Sequence, residues 1–317
     1  MRIAVAGAGS IGCYVGGRLQ AAEHQVVYIG RPSLGRAIAE HGLRLSDYLG
    51  WSAAIPASEC AFSEDIDTVR SADIVLVTVK SAATAQMAES LAGRLRPGAV
   101  VVSLQNGIRN PAQLSRYIKQ HNVITGMVGF NVAQVGAAHF HQGTQGKLSL
   151  STGADSLAGA LTHGGLPTTV RDDMAAVQWG KLVVNLNNSV NALSGLPLKA
   201  ELGDRDYRLV LAAAQREALD SCAVPASQWS ALLRHRFRSC PGCSRCLTPS
   251  LPGPRDRWLR WTHTHAHPCL TTSPSADRPK STTSTAKSSN LPKGSAPTHP
   301  LTPRWSVSSA TSLPPTR

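Results

Sequence analysis

The chain has 317 residues, 42% of them apolar, 5% aromatic and 16% charged, with 32 Lys+Arg against 19 Asp+Glu, the size of one large domain or two ordinary ones. The charge is uneven: residues 229–317 hold 13 of the basic and 2 of the acidic residues, a net of +11, whereas residues 1–228 carry only +2. No run approaches the roughly 18–20 apolar residues that a bilayer-crossing helix needs, which excludes a membrane span of that kind.

Residues 2–6, Arg-Ile-Ala-Val-Ala, predict a short buried strand, followed at once by Gly7-Ala8-Gly9-Ser10-Ile11-Gly12 and a helical pattern through Leu19. Met1-Arg2 and the uncharged residues behind it imitate a secretory signal, but glycines at 7, 9, 12 and 16 suit a turn and helix better than an apolar signal core. Strand, glycine turn and helix in that order are what a dinucleotide requires. Gly7 permits the tight turn, Gly9 lets backbone approach a pyrophosphate, Gly12 lets helix and strand pack closely, and the helix start at Ser10 and Ile11 offers N–H groups to the anion. A structural glycine turn is the plainer alternative.

A second strand is predicted at Gln25–Ile29, and just past it stands Gly30-Arg31-Pro32-Ser33. An acidic residue there would favour NAD; a guanidinium beside a hydroxyl suits the 2′-phosphate of NADP. A solvated surface arginine is the alternative. Further on come a strand at Asp73–Val79, a helix at Ala82–Leu95, a turn at Arg96-Pro97-Gly98 and a strand at Ala99–Leu104. This alternation predicts an α/β fold with a doubly wound parallel sheet. Lys80 and Gln105-Asn106-Gly107 follow strand ends, where the ligand crevice of such a sheet lies.

After strands at Val123–Met127 and Lys147–Leu150, a single long helix is predicted from about Asp172 to Leu196. Lys181, Asn185 and Asn188 are four and three residues apart and share one of its faces. Asparagine is a poor helix former, so four in seven residues argue either for a polar substrate held by amides beside a proton-donating lysine, or for a helix interface joined by amides.

With these residues on the page, the chain resembles the ketopantoate reductase (2-dehydropantoate 2-reductase) family. The resemblance is carried by Gly7-Ala8-Gly9-Ser10-Ile11-Gly12, Arg31, Thr78-Val79-Lys80, Gln105-Asn106-Gly107 and Trp179-Gly180-Lys181-Leu182 with Asn185, in that order. It covers residues 1 to about 228. It implies a Rossmann domain (1–170) and a helical domain of the 6-phosphogluconate dehydrogenase C-terminal type (starting at 171–228) with the active site between them. NADPH is the implied cofactor and a small branched 2-keto acid the substrate. Lys181 is the implied general acid, Asn106 and Lys80 border nicotinamide and substrate, and Asn185 with Asn188 holds substrate. No metal, nucleic acid or membrane partner is implied, and a homodimer is one assembly open to such a chain. Cys13, Cys60 and Cys222 are too scattered for a disulfide framework, consistent with a cytoplasmic setting.

Residues 229–317 depart from the family, which has there a serine in a Ser-Ser-Met-like segment and a glutamate in a segment like Arg-Pro-Thr-Glu-Ile-Asp. Cys240-Pro241-Gly242-Cys243-Ser244-Arg245-Cys246 and His263-Thr264-His265-Ala266-His267 superficially suggest metal, and the basic charge suggests nucleic acid. A frameshift between about Cys222 and Arg238 explains both better. Pro279-Lys280-Ser281-Thr282-Thr283 written CCG AAA TCG ACT ACC reads, from its third base, Glu-Ile-Asp-Tyr; the same offset turns His267-Pro268-Cys269 into a segment containing Ser-Met. The sequence therefore predicts a truncated helical domain followed by an aberrant, disordered tail, with turnover reduced or lost and cofactor binding retained. Peptide mass mapping of the natively expressed protein is expected to yield Glu-Ile-Asp-Tyr peptides. Recovery of Ser288-Ser289-Asn290-Leu291-Pro292-Lys293 instead would show that the tail is translated as written.

Overall fold

The computed structural model describes residues 1–221. Cys222, the Cys/His clusters and the tail at 229–317 lie outside the described residues. The first strand, β1 (Arg2–Ala6), is buried from Ile3 to Ala6 on both faces, which explains its unbroken apolar run. It leads through the glycine turn into α1 (Ser10–Ala21), then β2 (Gln25–Ile29) and α2 (Pro32–His41). Next come β3 (Leu43–Asp47), β4 (Ser52–Ile55), β5 (Ala61–Ser63), β6 (Ile74–Val77), α3 (Thr84–Leu91) and β7 (Val100–Ser103). The chain continues with α4 (Asn110–Tyr117), β8 (Asn122–Val128), β9 (Val132–Gly136), β10 (His139–Gln142), β11 (Leu148–Ser151), α5 (Asp155–His163) and β12 (Thr168–Arg171). Four helices close the described part: α6 (Met174–Asn185), α7 (Asn187–Ser194), α8 (Leu198–Gly203) and α9 (Arg205–Asp220). No described helix is long and apolar enough to cross a membrane.

The main sheet has eight strands in the order β12-β11-β8-β7-β6-β1-β2-β5. From β5 to β8 all neighbours run parallel, as expected of a doubly wound sheet, and the order reverses between β1 and β6. The sheet is not wholly parallel, because β11 joins β8 antiparallel and carries β12 with it. A separate four-stranded sheet, β4-β3-β10-β9, has no counterpart in the sequence reading. Its strands are only four or five residues long, and β9 is exposed over most of its length, so the short alternation in β3 and β10 is too brief to mark them.

Several predicted elements shrink, the strand expected at 99–104 by one residue at each end. The strand expected at 73–79 is confined to β6, and the helix expected at 82–95 to α3. The single helix expected over 172–196 is two: Leu186 interrupts the ladder between α6 and α7, amid the asparagines whose low propensity weakens a helix.

Helix α1 lies between the two sheets. A Cβ on Gly16 would stand 2.8 Å from Val5 Cγ2 of the main sheet, and one on Gly17 would stand 2.5 Å from Leu45 Cδ1 of the small sheet. The next residue, buried Arg18, donates to Asp47 Oδ2 at 2.6 Å and to the Tyr14 hydroxyl at 2.9 Å, and its guanidinium carbon sits 3.3 Å from the Trp51 ring centroid. Asp47 Oδ1 accepts from the backbone N–H groups of Leu49 and Trp51, so the carboxylate is satisfied on both oxygens. Removing one partner of a buried pair strands the other charge, so Arg18→Met is expected to lower unfolding stability by about 3 kcal/mol in urea titration. A loss below about 1 kcal/mol would show that the small sheet does not depend on this pair.

Candidate active site

The crevice is set by the reversal of strand order between β1 and β6, beyond their carboxyl ends. Gly7 there has φ +102, and a Cβ on it would overlap Val79 just past β6. The N–H groups of Gly7 and Ala8 both donate to Ile29 O, at 3.0 and 2.8 Å, which ties the turn to the end of β2. A Cβ on Gly12 would lie 2.5 Å from Thr78 Oγ1 and 2.7 Å from Val5 Cγ1, so glycine is needed for α1 to approach the sheet. The Thr78 hydroxyl donates to Gly7 O at 2.7 Å across the reversal point.

Gly9 is different. It is exposed, its backbone is extended as any residue can be, and a Cβ on it would meet only Gly7 O at 3.9 Å. No neighbour in the described chain requires a glycine there, whereas an approaching ligand would. The first helical bond runs from Cys13 N to Gly9 O, so the N–H groups of Ser10, Ile11 and Gly12 precede the ladder; no side chain caps them and no acidic residue stands in the first turn. This end of α1 therefore has the room and the polarity for a pyrophosphate. Arg31, exposed, is the residue that opens α2, with Ser33 exposed in its first turn.

Lys80 and Asn106 are both exposed, one past β6 and one past β7. A buried polar chain fixes the backbone that carries them. Gln105 Nε2 donates to Val79 O at 3.0 Å and to Thr84 Oγ1 at 2.7 Å, and Gln105 Oε1 accepts from Ser103. Thr84 donates to Asn110 Oδ1 at 3.0 Å; Asn110 Nδ2 donates to Asn106 O at 2.7 Å and to Ser81 Oγ at 3.1 Å; and Ser81 itself donates to Asn106 O at 3.0 Å. The loops after β6 and β7 are thus bonded to one another through this chain.

The third wall is α6. Its start is held by a two-pronged contact: Arg171 Nε and an Arg171 terminal nitrogen each donate to Asp173 at 2.6 Å. Hydrogen bonding to Arg171 keeps the Asp173 carboxyl below the usual carboxylate range, against the opposing effect of burial. Lys181 and Asn185 are half-buried and one turn apart on α6, as predicted. Asn188, beyond the break at Leu186, is exposed on α7 and is not in a continuous helix with them. Gln178, which the sequence reading passed over, is buried and donates to Gly107 O at 3.1 Å. Its signal was its spacing: residues 178, 181 and 185 form one stripe.

Elsewhere the chemistry is quiet. Burial, then the neighbouring Cys60, pushes the Cys13 thiol up to about 12; both thiols are free and Cys13 is inert as a nucleophile. A cavity of about 310 Å³ lined by Met1, Asp73, Val100 and Leu157 lies at the opposite, amino-terminal ends of β6 and β7, away from the crevice. Among the described residues no group of His, Cys, Asp and Glu could hold a metal ion.

Residues 3–155 match the family described as ketopantoate reductase PanE/ApbA. Over those residues the chain is similar to ketopantoate reductases. A 2-dehydropantoate 2-reductase of Halobacterium salinarum is 34% identical over 205 residues, 62% of this chain and 65% of the relative, so the match spans less than two thirds of that protein's length. The PanE/ApbA family ketopantoate reductase of Ralstonia eutropha superposes with a TM-score of 0.66 at 29% identity, over 74% of this chain and 80% of that one. D-mandelate dehydrogenase in a ternary structure with NADH and anilino(oxo)acetate shares the fold at a TM-score of 0.61 and 19% identity, over 80% and 82% of the two chains. The glycine turn, Lys80 and Asn106 all fall within the residues that match the family, while Lys181 and Asn185 lie beyond them.

Proposed function

We propose that the chain binds NADPH and reduces the C2 carbonyl of 2-dehydropantoate, giving pantoate for pantothenate synthesis in the cytoplasm. The observation that supports this most directly is the stripe of Lys181 and Asn185 on α6, docked through Gln178 beside the loop that carries Asn106. The proposed division is a cofactor domain over 1–170 and a substrate domain from 171. A small 2-keto acid is the substrate, a second copy of the chain the one protein partner considered, and nucleic acid has no part.

Gly7, Gly9 and Gly12, with the N–H groups of Ser10 and Ile11, would hold the pyrophosphate, and Arg31 the 2′-phosphate. When bound, a reduced nicotinamide supplies the hydride. Asn106 and Lys80 border the reacting carbonyl, and Asn185 with Asn188 orients the substrate's polar groups. Lys181 gives its Nζ proton to the oxygen that becomes the hydroxyl, and its positive charge stabilises the negative charge growing there. A lysine suits this role because the same group neutralises the oxyanion and protonates it.

Two measurements test the assignment. Arg31→Ala is expected to weaken NADPH at least about tenfold more than NADH, the worth of a charge-assisted contact to phosphate; equal losses would remove the 2′-phosphate from the reading. Lys181→Ala is expected to cut kcat for 2-dehydropantoate by roughly 100-fold or more while leaving the NADPH Kd within about twofold, as an interaction made chiefly in the transition state does. A rate near that of the parent would exclude Lys181 as the acid. Should the tail prove to be translated as written, NADPH binding without efficient turnover is the expected behaviour.

A further inference from the structure

We propose that Gln178 is a positioning residue: its hydrogen bond to Gly107 O registers α6, and with it Lys181, against the loop that carries Asn106. The catalytic consequence rests on the function proposed above; the mechanical one does not.

Two successive carbonyls of this loop are held by different parts of the molecule. Asn106 O accepts from Asn110, the first residue of α4, and from Ser81, past the end of β6, whereas Gly107 O accepts from Gln178 of α6. Gly107 has φ +97, a region open to glycine, which lets the two carbonyls diverge. On the Rossmann side the loop cannot adjust easily, because Asn110, Thr84, Gln105 and Ser103 are all buried and bonded to one another. The position of α6 is therefore read against a rigid reference.

On the helix side, Gln178 is only 9% exposed. Burying a primary amide costs free energy unless it is hydrogen-bonded, so leucine or methionine would serve a purely packed position better. Lys181 follows three residues later on the same stripe, about 4.5 Å along the axis. A helix that slid or tilted by an ångström would carry the Lys181 ammonium out of reach of a carbonyl held beside Asn106, and misplacement of that size costs on the order of 100-fold in rate.

The test uses the full chain with Gln178→Glu, which keeps the shape but presents an acceptor to the Gly107 carbonyl, and Gln178→Met, which keeps the volume but has no donor. Hydrogen exchange is followed in peptides covering 105–117, 174–185 and 2–21. In both variants, exchange in 105–117 and 174–185 is expected to rise about tenfold with 2–21 unchanged, because docking between two elements is lost and the sheet is not. In parallel, kcat for 2-dehydropantoate is expected to fall about 10- to 100-fold, with KM within about threefold and the NADPH Kd within about twofold. Unchanged exchange in both segments, faster exchange throughout the protein, or a kcat equal to that of an active parent overturns the proposal. In a parent that reduces no 2-keto acid but binds NADPH, as expected of a tail translated as written, the exchange data alone decide the role of Gln178; a parent that neither turns over nor binds NADPH refutes the proposed function instead.

Discussion

The structure depends on how closely one helix can approach two sheets at once. Helix α1 has glycines where it meets each of them: Gly12 and Gly16 against β1 and its neighbours, Gly17 against β3 of the small sheet. Each glycine inside a helix costs close to 1 kcal/mol relative to alanine, and here the cost is offset by packing that an alanine methyl would push apart. The buried Arg18–Asp47 pair then clamps the far end of the helix to the small sheet. The small sheet thus braces α1 on a second face, beside the one packed on the main sheet.

That constraint reaches the site directly. Because α1 sits so low on the sheet, its first turn lies against Thr78 and Gly7 at the point where the strand order reverses. From there a line of hydrogen bonds crosses the crevice: Thr78 to Gly7, Gln105 to Val79, Ser81 to Asn106 and Gln178 to Gly107. Each joins the end of one element to the next, so the glycine turn, Lys80, Asn106 and the helix of Lys181 share one mechanical frame. Pre-organisation of this kind is what lets a few polar groups act together on a reacting carbonyl.

Much of this frame was legible in the sequence because its signals are local. The strand at 2–6, the glycine turn and the strand at 25–29 have the predicted bounds, since central parallel strands are apolar on both faces and the turn needs a positive φ at Gly7. The small sheet was not legible. Phe140 and Leu45 are buried against α1, but their strands alternate with exposed or half-exposed residues over too few positions to show a period. The break at Leu186 was missed for a related reason: apolar spacing runs on through it, and the dihedrals at Leu186 are still helical although the ladder is interrupted. The low propensity of the asparagines, which fits a substrate-holding face or an amide-joined interface, also weakens the helix at this point.

What the sequence determined by itself is the fold class, the order of the strand ends and the identity of the residues on them, because these follow from periodicity, glycine stereochemistry and polar residues placed after apolar runs. What only the tertiary structure decided is which of those residues are held together. Gln105, Thr84, Asn110 and Gln178 are ordinary polar residues in the chain, up to 94 positions apart. They become a bonded network only when strand pairing brings β6 beside β7 and α6 docks on the loop behind them, and a buried amide must then find its partner through space.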